Sequence, residues 1–210
     1  MRSATQVTVS TFGAIMALAG IEHGIGEILQ GNLAPSGLIF PSWPGSAFFS
    51  SLAGEPALSI IPNLLVTGIL AVIFSLMYLV WATRFAQRKH AGLVMILLSM
   101  AMLLAGGGIF PPVLALMIGV LATRINAPLT GWHTHLSVGL RRFFGRVQPW
   151  LFGVCLIAWL CLFPGINILA YFFGVDDSTL TFTVIFLALG SLVLTILAGL
   201  AHDSLRPLHQ

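Results

Sequence analysis

Charge is what this chain has least of. Only 7% of its 210 residues are Asp, Glu, Lys or Arg, 58% are hydrophobic, and the mean hydropathy is +1.01; globular domains carry about a quarter charged residues. The shortage excludes an ordinary soluble domain, and no polar stretch is long enough to fold apart from the apolar runs. The expectation is one integral membrane domain over residues 1–210, all-α, built as a bundle of transmembrane helices. The net charge of +3 is small, and the basic residues sit in short clusters between apolar runs. That pattern suits membrane topology and argues against nucleic acid as a partner. Cysteine is nearly absent as well. Cys155 and Cys161 lie in one apolar run at neither a redox CxxC nor a zinc spacing, so they read as packing residues. The chain also lacks a P-loop, a GxSxG elbow, an HExxH helix, paired Cys knuckles, tandem repeats and low-complexity tracts. A haem between helices would need histidines from two helices at one depth, and His23 has no such match. The sequence names no cofactor.

What is present is a succession of apolar runs. A bilayer core takes about 20 apolar residues per helix, and the candidates are 7–30, 57–83, 91–107, 111–124, 148–172 and 180–201. The N-terminal Arg2 and "ALAG" resemble a signal peptide with a cleavage site, but the apolar pattern runs on to Leu29 and favours a retained helix. "GGGIFPP", Gly106 to Pro112, interrupts the third and fourth runs with residues that cannot continue a helix. It makes them either a tight hairpin, the favoured reading, or a broken re-entrant helix. With six crossings and the N-terminus inside, Arg2, Arg84, Arg88, Lys89, Arg124, Arg141, Arg142, Arg146 and Arg206 all fall on the cytoplasmic side. Glu55, Asp176 and Asp177 fall outside. The expected location is therefore the inner (plasma) membrane, multi-pass, with both termini inside.

Two connecting segments carry their own signals. Residues 31–57 are rich in Gly, Pro and Ser yet hold Leu38, Ile39, Phe40, Trp43, Phe48 and Phe49, which suits a loop lying in the headgroup region or folded back as a lid. Residues 125–147 predict a short basic amphipathic helix on the inner leaflet, where Arg141, Arg142 and Arg146 with Phe143 and Phe144 fit anionic lipid. Most tryptophans fall near segment ends and read as interfacial anchors. No oligomeric state is legible.

The few ionisable residues inside apolar runs attract a functional reading, because such groups are costly in a bilayer. In "GIEHGIGEIL" (Gly20–Leu29), His23 and Glu27 are four apart and share a helix face, whereas Glu22 points away from Glu27. Gly20, Gly24 and Gly31 fall on the Glu27 stripe, which predicts close approach of another helix. On the second run, Glu55, Ser59, Asn63 and Thr67 recur every four residues, with Pro56 in the first turn and Pro62 at a kink. The expectation is a polar cluster between helices one and two, beneath the aromatic loop. Glu22, His23, Glu27, Glu55 and Asn63 are then candidates for ion or ligand binding. Two readings stay open: an ion site, or hydrogen-bonded glue between helices. A metal held by His23 and Glu27 is a weaker variant that needs a third ligand, with Glu22 and Glu55 available. His133 and His135 read as surface residues, and His90, His202 and Asp203 as boundary groups.

The strings "GIEHGIGEILQGN", "EPALSIIPNLLVTGILAV" and "GGGIFPP" resemble those of a group of small, uncharacterised prokaryotic polytopic membrane proteins, over about the first 125 residues. The resemblance implies a multi-pass membrane protein and transfers no catalytic residue. Three roles follow in order of preference: ion- or proton-coupled transport, a non-catalytic scaffold or partner subunit, and a membrane-embedded metalloenzyme.

Overall fold

A computed structural model describes residues 3–125, 127, 129 and 136–205. The fold is all-α apart from one two-stranded ribbon. Four helical stretches are long and apolar enough to cross a membrane: Ala4–Gln30, Leu64–Phe85, Val138–Phe173 and Ser178–Asp203. Two shorter apolar helices, Ala91–Leu104 and Phe110–Ala122, complete the expected six. Helices of this length and composition make the chain a membrane protein. The chain divides into two compact units, Val9–Ile125 and the combination of Met1–Thr8 with Asn126–Gln210. His133, His135, Arg2 and Arg206 lie outside the described residues.

In the unit Val9–Ile125, α1 (Ala4–Gln30) runs against α2 (Leu64–Val80, continued by a wider π turn over Trp81–Phe85). Their contact is made by small residues. A Cβ on Gly13 would stand 2.7 Å from the Ala82 Cβ, one on Gly20 would stand 2.5 Å from the Ser75 hydroxyl, and Gly24 and Gly68 each face the other's carbonyl oxygen. Backbones this close gain dispersion contacts that larger side chains would prevent. Gly20 and Gly24 therefore face protein, as their spacing predicts. Gly31 does not belong to that stripe: it ends α1 with φ +85° and has open space around it.

The second helix begins at Leu64, not at residue 57. Asn63 caps it, its side chain accepting from the Val66 amide at 3.1 Å. Before it, β2 (Pro56–Leu58) pairs antiparallel with β1 (Ile39–Pro41) in the register Ile39↔Leu58, Phe40↔Ala57, Pro41↔Pro56. Glu55, Ser59 and Asn63 are consequently not turns of one helix. Glu55 sits in a left-handed conformation, φ 57°, where the ribbon turns.

α3 (Ala91–Leu104) and α4 (Phe110–Ala122) form the expected hairpin. Gly92 abuts Thr123 and Gly119 abuts Ile96. With 14 and 13 residues each is about 20 Å long, short of the ~30 Å hydrocarbon core. Gly106 and Gly108, at φ +86° and +85°, make the turn, and Pro111 and Pro112 open α4 where missing amides cost nothing. The turn is stitched to the ribbon: the Gly106 amide donates to Leu58 and the Ile60 amide to Leu104. Tyr78, fully buried on α2, donates to the Ala115 carbonyl of α4 at 2.6 Å.

The other unit contains α5 (Val138–Leu160), α6 (Ile166–Phe173) and α7 (Ser178–Asp203). Pro164 lies in the irregular turn that separates α5 from α6, with Phe163 out of helical geometry. The expected surface helix at 125–147 and the expected span at 148–172 prove to be one element: α5 starts at Val138, capped by Ser137, and passes through Pro149. Arg141, Arg142 and Arg146 thus occupy its first turns. Arg141 is only 7% exposed, while Arg142 and Arg146 are exposed. Asp177 caps α7. At its far end Asp203 accepts from the Ala4 and Thr5 amides at 2.9 and 2.8 Å, satisfying two orphan donors at the start of α1. Asp203→Ala is expected to cost about 1–2 kcal/mol, read as a lower melting temperature in detergent, with the exposed Asp176→Ala unchanged.

Candidate functional site

The C-terminal turns of α1, the β1–β2 ribbon, the start of α2 and the α3–α4 turn meet at one end of the unit Val9–Ile125. Glu27 and His23 project from α1 into that junction and are 0% and 1% exposed. Residues 42 and 43 lie directly over Gly26, where a Cβ would stand 2.5 Å from the Ser42 carbonyl and 2.7 Å from the Trp43 ring. Gln30, one turn on, donates to that same Ser42 carbonyl at 2.8 Å. The missing side chain of Gly26 and the amide of Gln30 therefore fix Ser42 above His23 and Glu27.

Ser42 is the centre of the arrangement. Its hydroxyl lies 2.9 Å from His23 Nδ1 and donates to Glu27 Oε1 at 3.3 Å. A hydroxyl has one proton, so while it serves Glu27 the bond to His23 requires Nδ1–H to donate to Ser42. That leaves Nε2 facing Glu55 Oε2 at 3.8 Å, an ion-pair distance too long for a direct hydrogen bond. The result is a chain of proton-bearing groups, Glu27–Ser42–His23–Glu55, all of them buried.

The α3–α4 turn closes the chain from the other side. A Cβ on Gly106 would lie 2.3 Å from Glu27 Oε2 and from Thr67 Cγ2, and one on Gly108 would lie 2.6 Å from His23 Nε2. Thr67 is held by Ser59, their hydroxyls 2.8 Å apart. Glu27 Oε2 itself has no hydrogen-bond partner among the described residues.

The structure brings together His23, Glu27 and Glu55 of the expected candidates. Glu22 stands on the neighbouring face of α1, beside the Trp43 indole and within electrostatic reach of Glu27. Asn63 is spent on capping α2 and on a bond to Asn32. Sequence reasoning missed Ser42, Gly106 and Gly108. The glycines were legible as a turn, but nothing in a serine within a Ser- and Pro-rich loop marks it as the bridge between two buried ionisable groups.

The charge balance is lopsided. Glu22, Glu27 and Glu55 share this end of the unit with His23, whereas Arg84, Arg88, Lys89 and Arg124 follow the opposite ends of α2 and α4. Protons or a cation are the natural counter-charges for such a set. For a metal, His23 and Glu27 would need a third ligand, and among the described residues no group of three His, Cys, Asp or Glu side chains has metal-holding geometry. No protein-family model, curated protein or solved structure matches the chain.

Proposed function

We propose that this is a multi-pass protein of the plasma membrane that moves protons, or a cation exchanged against them, through the Glu27–Ser42–His23–Glu55 chain. The observation that carries the reading is the run of buried proton-bearing groups: Glu27 and His23 are joined through the Ser42 hydroxyl, and Glu55 stands 3.8 Å beyond the imidazole, a gap that a small side-chain movement would close. Intramembrane carboxyl and histidine chains of this kind are the usual carriers in proton-coupled transport. The proposed orientation, both termini cytoplasmic, is supported by the segregation of charge. In the unit Val9–Ile125, Arg84, Arg88, Lys89 and Arg124 follow the ends of α2 and α4 that lie away from Glu55; in the other unit, Arg142 and Arg146 lie in the first turns of α5, and Asp176 and Asp177 precede α7.

A second reading, a structural cluster in a non-catalytic subunit, draws on the packing of Gly106 and Gly108 against Glu27 and His23. The same contacts would serve to lock the α3–α4 turn onto α1. Proteoliposomes containing the purified chain and a pH-sensitive dye separate the two. Under an imposed pH gradient with the membrane potential clamped, the transport reading predicts acidification above that of empty liposomes. Folded protein with no excess flux, tested also with sodium and potassium gradients, rejects transport and leaves the structural reading.

A further inference from the structure

We infer that the unit formed by Met1–Thr8 and Asn126–Gln210 binds the headgroup of an anionic phospholipid at its basic end, independently of the proton chain. A cavity of about 260 Å³ opens there between the start of α1, α5 and the end of α7. Its polar lining is Ser3, Gln148 and His202, and its apolar lining includes Val7, Pro149 and Phe152. Gln148 is 8% exposed and lines the cavity. Ser3 Oγ already accepts from the Gln6 amide, so its own hydroxyl proton points elsewhere.

The charges around the cavity define the ligand. Arg142 and Arg146 are exposed and stand seven and three residues before Pro149, on the same face of α5. The one acidic group at this end among the described residues, Asp203, is engaged by the Ala4 and Thr5 amides. Two guanidinium groups against one carboxylate leave this end of the unit net positive, and guanidinium matches a phosphate geometrically as well as electrostatically. Further along α5 the exposed surface toward this face turns apolar, with Ile157 at 64% exposure, and Trp150 flanks it at 80%. Arginines above, amide and hydroxyl donors at the mouth and a hydrocarbon face beneath follow the order of phosphate and acyl chain in a phospholipid. A free anion would use only the upper part. The sequence assigned lipid contact to an amphipathic surface helix; here it is a cavity in the helical bundle.

The test is binding of phosphatidylglycerol and phosphatidylcholine to the detergent-purified full chain, read by native mass spectrometry, with melting temperature as the check on folding. The wild type is expected to retain phosphatidylglycerol in preference. Arg142→Gln/Arg146→Gln should weaken that lipid by about fivefold per arginine, or about 25-fold for the pair. Gln148→Glu, a charge placed inside the cavity, should abolish the preference alone. Arg88→Gln/Lys89→Gln removes as much charge from the other unit and should leave binding unchanged. If that control loses binding equally, the attraction is diffuse electrostatics and the site is rejected. Complete displacement of the lipid by millimolar inorganic phosphate would reject the lipid in favour of a free-anion site.

Discussion

Gly106→Ala is expected to lower stability by about 2–5 kcal/mol, the sum of placing a side chain at φ +86° and overpacking a filled junction. For a chain of 210 residues that corresponds to a melting point about 10 °C lower. The new methyl group would fall 2.3 Å from both Glu27 Oε2 and Thr67 Cγ2. Neither neighbour can yield, because Glu27 and Thr67 are both 0% exposed. Gly31→Ala provides the control: its φ is +85° but nothing lies within 4 Å, so it incurs only the conformational strain, about 1–2 kcal/mol. Equal melting points for the two variants would mean that the α3–α4 turn does not press on the carboxyl of Glu27.

Ser42→Ala is expected to reduce proton flux in proteoliposomes to the level of empty vesicles while the protein stays folded. Among the described residues the hydroxyl is the one group bonded to both His23 and Glu27, and no charge is removed with it. Replacing it leaves His23 Nδ1 and Glu27 Oε1 without their partner, at a cost of about 1–3 kcal/mol. The space vacated by one oxygen is smaller than a water molecule needs, so solvent does not restore the link. A variant that melts at a slightly lower temperature yet conducts like the wild type would remove Ser42 from the path.

Much of the frame was legible in the sequence, and the reasons differ from element to element. Gly20 and Gly24 predicted a close helix contact because small residues at helical spacing have few other uses in an apolar run. His23 and Glu27 were legible because ionisable groups are so rare here. Glu55 was assigned to the right cluster for the wrong reason: its four-residue recurrence with Ser59, Asn63 and Thr67 suggested a helix face, but the chain there forms a ribbon and a cap. Three-residue strands that include Pro41 and Pro56 give no alternating pattern to read. The start of α5 was hidden by its polarity and by Pro149, which looks like a helix beginning and lies inside one. The convergence on Ser42 depends on Gly26 and Gln30 holding a loop in place, a long-range contact with no periodic trace.

The most direct test of the proposed relay is a double-mutant comparison of proton flux among wild type, Ser42→Ala, Glu27→Gln and the combined variant, at matched amounts of folded protein. Groups acting in series fail together, so each single variant and the double should show the same background flux. Wild-type flux in either single variant, or partial losses that multiply in the double, would contradict a single chain running through Glu27, Ser42, His23 and Glu55.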